Sequence, residues 1–229
     1  MKRQIAVVSV LAAAVTLVIQ GCGGASAASS DPIAQNRKSN EYYLDNGQTR
    51  ISEEEARVAI ASGKAKNVIL FVGDGMGVST VTAARIFDGQ MQSKDGESNS
   101  LYMEKLPYLA MSKTYSVNQQ TADSAPTMTA MVTGVKTKES FLSTVSGIKK
   151  NDPAGCAETN RLGTIAELAE VAGMSTGVVS TARITHATPA AVYAHTPNRD
   201  AESDKDQTDL ITAGALAATG CTDIAKQLV

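Results

Sequence analysis

The chain has 229 residues, 43% of them hydrophobic, and a formal net charge of −2. This is enough apolar material for one sizeable core, which argues against a chain that is disordered throughout. The 21 lysines and arginines are scattered and are outnumbered by 23 acidic residues, so the charge pattern gives no basis for binding nucleic acid.

The N-terminus has the pattern of a secretion signal. Lys2 and Arg3 precede an apolar run over residues 5–19, which is shorter than the roughly 20 residues that a bilayer crossing needs. The following Gln-Gly-Cys resembles a bacterial lipobox, in which cleavage before Cys22 leaves that cysteine to carry lipid. We therefore predict a lipoprotein signal peptide over residues 1–21; ordinary cleavage in the Ala- and Ser-rich stretch after it is the alternative.

A tether precedes the folded part of the chain. Residues 22–50 are rich in Gly, Ala, Ser, Asn and Gln without periodicity, which predicts a tether and an irregular arm. Ser52 and Glu55 stand at capping-box spacing and predict a helix through Ile60. We expect a single α/β domain over residues 51–229.

A glycine-rich turn follows the first apolar run of that domain. Residues 68–72 predict a parallel strand covered on both faces, and a helix is expected to begin near Val78 or Ser79. Between them, Asp74 would lie at the carboxyl end of a strand, where open α/β sheets bind their ligands. A cation site is one interpretation, and a tight turn with a capping aspartate is the other.

A serine follows at the start of a predicted helix, after an extended run or strand pair over residues 106–117. Asp123 and Ser124 are good N-cap residues, Pro126 suits the first helical turn, and Gly134 can end the helix. A serine hydroxyl at the positive end of a helix would face a phosphate that the backbone N–H groups favour. From this segment alone, the pattern favours the alternative, a plain Ser/Asp helix cap.

The rest of the chain continues the alternation of strands and helices. Residues 162–173 predict an amphipathic helix with Thr164 and Glu167 at capping-box spacing, and residues 176–181 predict a short strand. This alternation predicts a mostly parallel central sheet with helices on both faces. The segment after that strand holds both histidines, and we interpret His195 as a structural histidine with satisfied hydrogen bonds.

Five polar residues could meet in three dimensions. His186, Thr188 and Arg199 follow a predicted strand end, so they could converge with Asp74 and Ser124. Taken singly, Thr188 could be a helix cap and Arg199 a member of a surface ion pair.

Two cysteines remain if Cys22 carries lipid. Cys156 and Cys221 form an even pair in an oxidising compartment, which suggests one disulfide, with free buried thiols as the alternative.

Three segments, taken in order, resemble alkaline phosphatases. They are residues 67–77 with Gly-Asp-Gly-Met-Gly, residues 121–137 with Asp-Ser-Ala and Thr-Gly-Val-Lys-Thr, and residues 186–199 from His-Ala-Thr-Pro to Pro-Asn-Arg. The similarity runs from about Lys66 to the last residue. It implies an alkaline phosphatase-like α/β fold, incomplete in this chain, and favours a phosphatase over a phosphodiesterase or sulfatase of the same superfamily.

The resemblance also implies a role for each of the five polar residues. Asp74 is similar to the aspartate that bridges a zinc and the magnesium, and Thr188 to a magnesium-ligand threonine. Ser124 is similar to the nucleophile that a zinc ion holds as the alkoxide and that becomes a phosphoserine, and Arg199 to the arginine that grips the phosphate. His186 stands where animal-type members have a histidine linked to magnesium through water. The Cys156 and Cys221 pair resembles one that is joined in the animal-type enzymes.

The function implied is hydrolysis of phosphate monoesters at alkaline pH, with two zinc ions, one magnesium ion and inorganic phosphate as product. We expect an exported protein in the periplasm or on the outer surface, held to the membrane by its lipid; a homodimer is left open. The family's remaining zinc and magnesium ligands lie in the second half of its chain, so we expect the N-terminal half of a site, incomplete or inactive alone. The alternative is a non-catalytic exported lipoprotein that binds phosphate.

Overall fold

The computed structural model describes residues 66–212 and 221–229. The predicted signal peptide, Cys22, the tether and the helix from Ser52 lie outside these residues. Within them, none of the helices has the length and apolar character required to span a bilayer. The helices are α1 (Val78–Met91), α2 (Ser124–Thr133), α3 (Ile165–Val171), α4 (Ala187–Ala190), α5 (Asp204–Thr212) and α6 (Ile224–Gln227), with 3-10 turns at Tyr102–Lys105, Pro153–Cys156 and Glu158–Asn160.

Helix α2 forms where its end signals predict it. The Asp123 carboxylate caps the helix by accepting from the backbone N–H of Ala125. At the other end Gly134 adopts a left-handed conformation with φ +74° and donates its N–H to the carbonyl of Ala130 at 3.0 Å. Because L side chains disfavour this backbone conformation, glycine is the residue that can end the helix there.

The other local predictions about helices α1 and α3 are also confirmed. Gly75 has φ +64° within the glycine-rich turn, and α1 begins at Val78 directly after it. At α3, the backbone N–H of Thr164 donates to a Glu167 carboxylate oxygen at 2.8 Å, and the N–H of Glu167 donates to the Thr164 hydroxyl at 3.2 Å. This reciprocal capping box fixes the start of α3.

The predicted parallel sheet is not formed in the described ranges. The runs 68–72 and 176–181 form no strand, and Phe71 and Val179 are 90% and 100% exposed. A strand needs the hydrogen bonds of a neighbouring strand, and its local sequence cannot supply them. The sheet therefore stays a prediction.

Two isolated antiparallel bridges occur instead. One joins Leu142 to Thr196 and the other joins Thr144 to Arg161. Both involve residues 140–145. The Gly, Asn-Asp-Pro and Lys-Lys residues of the stretch 137–159 predict a loop there, but residues 140–145 lie buried. This buried segment connects distant parts of the chain.

The main core lies between α2, α4 and α6. Its buried members are Ala125, Met128, Val132, Leu142, Ala187, Ala190, Ala191, Ala194 and Ile224. Alanines dominate the α4 side, so the backbone of α4 can approach α2 closely. Ile224 is fully buried and brings α6 into this core, and burial of one such side chain stabilises by about 1.5–3 kcal/mol. A disulfide between Cys156 and Cys221, with Cα atoms 5.2 Å apart, fastens the start of the α6 segment.

We predict that Gly134→Ala lowers the free energy of unfolding by about 1 kcal/mol, because alanine is strained at a left-handed φ. A Cβ at Gly134 would meet nothing within 4 Å, so the loss would measure backbone strain alone. Urea denaturation measures it. Gly147→Ala is the matched control, since that position is equally open and lacks a positive φ. Equal losses in both variants would contradict the prediction.

Candidate functional site

Arg199 is the centre of a polar cluster at the N-terminus of α2. Its Nη1 donates to the Asp123 carboxylate at 2.9 Å and to the Ser124 hydroxyl oxygen at 3.0 Å. Its Nη2 lies 3.1 Å from Nε2 of His186. Three of the sequence-predicted site residues, Ser124, His186 and Arg199, therefore meet in one hydrogen-bonded group.

The contact with Arg199 fixes the tautomer of His186. A guanidinium can only donate, so Nε2 of His186 must accept and the ring proton lies on Nδ1. Nδ1 is buried, and no described group is its hydrogen-bond partner. The neutral ring therefore keeps one donor available for a water molecule or a ligand.

Asp123 has two roles, of which the sequence predicts one. It caps α2, and its other carboxylate oxygen accepts from the backbone N–H of Ser140 at 3.4 Å. It also forms the ion pair with Arg199, in which the two side chains are 25% and 20% exposed. One feature of the sequence indicates the ion pair between Asp123 and Arg199, which is that an acidic residue directly precedes Ser124.

Asp74 and Thr188 form a second group. The Thr188 hydroxyl donates to an Asp74 carboxylate oxygen at 2.6 Å. Carboxylate and hydroxyl oxygens are the hard ligands that Mg²⁺ prefers. His186 is the N-cap of α4 and Thr188 lies within it, so this short helix connects the two polar groups.

The described residues provide fewer suitable ligands for zinc than for magnesium. A zinc site takes about three protein ligands, with His and Cys preferred. Across residues 66–212 and 221–229, no three His, Cys, Asp or Glu side chains cluster in a way that could hold a metal ion. Zinc therefore does not fit the described set, whereas Asp74 and Thr188 fit part of a magnesium shell.

Arg199 reaches Ser124 because its segment pairs with residues 140–144. Leu142 and Thr196 exchange two backbone hydrogen bonds of 2.9 and 3.0 Å. Three residues later the N–H of Arg199 donates to the carbonyl of Ser140 at 2.9 Å. The backbone at Arg199 therefore has a hydrogen bond of its own to this segment.

The same segment is fastened to α2. The N–H of Ser143 donates to the buried hydroxyl of Thr129 at 2.9 Å, and that hydroxyl donates to the carbonyl of Phe141 at 3.3 Å. Thr129 belongs to the helix that begins at Ser124. Residues 140–144 therefore position both Ser124, the candidate nucleophile, and Arg199.

His195 is a satisfied structural histidine, as its sequence context suggests. It is 3% exposed, and its Nδ1 and Nε2 lie 2.8 Å from the carbonyl oxygen of Ser143 and from a Glu167 carboxylate oxygen. Burial raises the pKa of Glu167, but the hydrogen bond and charge of His195 and the hydrogen bonds from Thr164 outweigh it, so the net pKa lies below the ordinary 4.5. Glu167 is therefore charged at neutral pH.

The carboxylate of Glu202 is held by an ion pair and by a further hydrogen bond. The guanidinium of Arg183 donates to both oxygens of Glu202, at 2.9 and 2.6 Å, and the Thr185 hydroxyl adds a bond of 2.6 Å. The Arg183 hydrogen bond, opposed by burial and aided by Thr185, holds the pKa of Glu202 at about 2. This ion pair connects the segment before α4 to the one after Arg199.

Comparisons with known proteins agree on one family. The sequence model of the family "Alkaline phosphatase" matches residues 65–229. The tissue-nonspecific alkaline phosphatase of Gallus gallus is 41% identical over 93% of this chain and 39% of its own length. The membrane-bound alkaline phosphatase of Bombyx mori is 38% identical over 90% of this chain and 37% of its own.

One similar solved structure is a TAB5 alkaline phosphatase mutant with Mg bound in the M3 site. It is 34% identical with a TM-score of 0.32, over 38% of this chain and 22% of its own. The chain spans about two fifths of the length of the curated relatives it matches.

We predict that Glu202→Gln removes stability at neutral pH but much less at low pH. Because the folded pKa of Glu202 is lowered, its contribution is complete above the ordinary value of 4.5 and is lost as the pH falls towards about 2. The loss at pH 7 should be about 1 kcal/mol at most, since Arg183 faces solvent. Urea denaturation at pH 7, 5, 4 and 3 measures it, with exposed Glu139→Gln as control. A difference that is constant with pH would contradict this.

Proposed function

The chain belongs to the alkaline phosphatase family, and from this premise we propose that Ser124 and Arg199 form the phosphate-facing part of a phosphomonoester hydrolase site. The observation that supports the proposal is the 3.0 Å contact between Arg199 Nη1 and the Ser124 hydroxyl oxygen at the start of α2. A cation, a hydroxyl and a helix N-terminus together favour a tetrahedral dianion.

Arg199 would bind the phosphate in a prepared orientation. Asp123 and His186 hold one nitrogen each of the guanidinium, so its plane is set before the ligand arrives. The contact with Ser124 is the one that a phosphate oxygen would replace. A planar fork of donors can bind two phosphate oxygens at once, which lysine cannot do.

Ser124 would act as the nucleophile. Its Oγ forms a bond to phosphorus while the bond from phosphorus to the alcohol oxygen breaks, and the alcohol leaves with the proton that the serine hydroxyl has lost. The product is a phosphoserine at Ser124, which water then cleaves to inorganic phosphate. Arg199 stabilises the charge on the phosphoryl oxygens in both steps.

Asp74 and Thr188 are the described residues that would hold magnesium. A bound Mg²⁺ would supply positive charge to the site. The Nδ1–H of His186, buried and without a described partner, would donate to a water molecule or to a ligand. We assign no step to zinc, because the described residues do not hold it.

A second candidate is a phosphate-binding exported lipoprotein without turnover. The contacts among Asp123, Ser124, His186 and Arg199 are complete within the described residues. Phosphate recognition through Arg199 therefore needs no further protein group, whereas turnover needs activation of the serine.

We predict that this chain binds inorganic phosphate and that Arg199→Ala weakens the affinity about 10- to 100-fold, since a hydrogen bond from a charged group is lost. Calorimetry measures the affinity. Turnover of a chromogenic phosphomonoester is then assayed at alkaline pH with zinc and magnesium added. Turnover that Ser124→Ala abolishes supports the hydrolase.

The control for that experiment is Ser79→Ala, which removes an exposed serine from the first turn of α1 and should change neither readout. Phosphate binding without turnover would favour the second candidate. A wild-type chain that neither binds phosphate nor turns over the ester would reject both.

Export with lipid attachment at Cys22 is the remaining part of the proposal. It is supported by the basic N-terminus, the apolar run and the Gln-Gly-Cys sequence. We predict that Cys22→Ala moves the protein expressed in a bacterium from the membrane fraction to the aqueous fraction. Labelling with a radioactive fatty acid should be lost in the same variant, and unchanged labelling would contradict attachment at this cysteine.

A further inference from the structure

His195 is buried between two groups that only accept hydrogen bonds. The carbonyl oxygen of Ser143 and the carboxylate of Glu167 each lie 2.8 Å from a ring nitrogen. A ring nitrogen that faces such an acceptor is satisfied when it donates, so the two acceptors orient the ring. A charge-assisted hydrogen bond to a carboxylate is stronger than a neutral one, so the ring is held firmly.

The ring lies at the start of the segment that presents Arg199. The next residue, Thr196, pairs with Leu142, and Arg199 itself donates its N–H to Ser140. His195 contacts Ser143 in the partner segment, so its ring extends the same antiparallel pairing by one side-chain contact. His195 and Arg199 therefore contact the same segment, through Ser143 and Ser140 respectively.

Glu167 connects this pairing to a rigid element. Its second carboxylate oxygen accepts the Thr164 N–H in the capping box, so its position is fixed by α3. On the other side, the N–H of His195 donates to the side chain of Gln227 in α6 at 2.8 Å. His195 is therefore held from two helices that carry no proposed catalytic group.

We propose that His195 is a positioning residue for Arg199: through Ser143 and Glu167 it fixes the segment that holds the guanidinium beside Ser124. This inference rests on the proposed function, in which Arg199 binds the phosphate. His195 contacts neither Ser124 nor the phosphate, and its effect is transmitted through the backbone of residues 195–199.

The test compares three substitutions that differ in which hydrogen bond survives. His195→Asn can still donate to Ser143 but is too short for Glu167. His195→Gln can still reach Glu167, and His195→Leu loses both contacts. Tyr193→Phe is the matched control, since it removes a hydrogen bond from the same segment to Ile184, away from the pairing.

The first measurement is amide hydrogen exchange at Thr196 and Arg199. We expect exchange about tenfold faster in His195→Asn and His195→Leu, at least partial recovery in His195→Gln, and no change in Tyr193→Phe. The amides of α1 should be unaffected in all four. Unchanged exchange at Arg199 in His195→Asn, or equal acceleration in α1, would overturn the proposal. If His195→Leu does not fold, the Asn and Gln variants decide.

The second measurement is the affinity for inorganic phosphate, with the melting temperature recorded for each variant. We expect a severalfold weaker affinity in His195→Asn, with recovery in His195→Gln. An affinity equal to wild type in His195→Asn would overturn the proposal. A wild-type chain that binds no phosphate would reject the proposed function, and hydrogen exchange would then decide alone whether His195 positions Arg199.

Discussion

The arrangement of this protein depends on the antiparallel pairing of residues 140–144 with residues 195–199. Ser124 and Arg199 are 75 residues apart in the chain, and bringing such distant groups together costs loop-closure entropy. The pairing offsets that cost with backbone hydrogen bonds in a buried environment, where an unpaired group would be expensive. Because Thr129 fastens the same segment to α2, one pairing positions both residues.

The electrostatics of the site follow from that arrangement. Asp123 balances the charge of Arg199, so the guanidinium can lie half-buried without isolated charge. The same carboxylate caps α2 and thereby occupies part of the helix N-terminus. Under the proposed function, a phosphate would bind Arg199 next to this carboxylate, and its affinity would depend on how rigidly the arginine is oriented.

Packing determines the position of the second polar group. Alanines on α4 allow close contact with α2, and this contact positions the N-terminal end of α4. His186 then faces Arg199, and Thr188 faces Asp74. Helix α6 completes the same core from the end of the chain, with Ile224 buried and a disulfide close by.

The sequence by itself determined the local features. The cap of α2, its glycine end, the glycine-rich turn before α1 and the capping box of α3 each depend on hydrogen bonds within a few residues, so local residue types specify them. The order of three motifs identified the family, and its resemblance supplied the candidate roles of Asp74, Ser124 and Arg199.

Only the tertiary structure decided which distant groups meet. The pairs of Arg199 with Asp123 and of His195 with Glu167 join residues 76 and 28 positions apart, and no periodicity encodes such contacts. Residues 140–145 look like loop because their pairing partners lie far along the chain. The apolar runs 68–72 and 176–181 show the converse, since a strand pattern becomes a strand only when a neighbour supplies its hydrogen bonds.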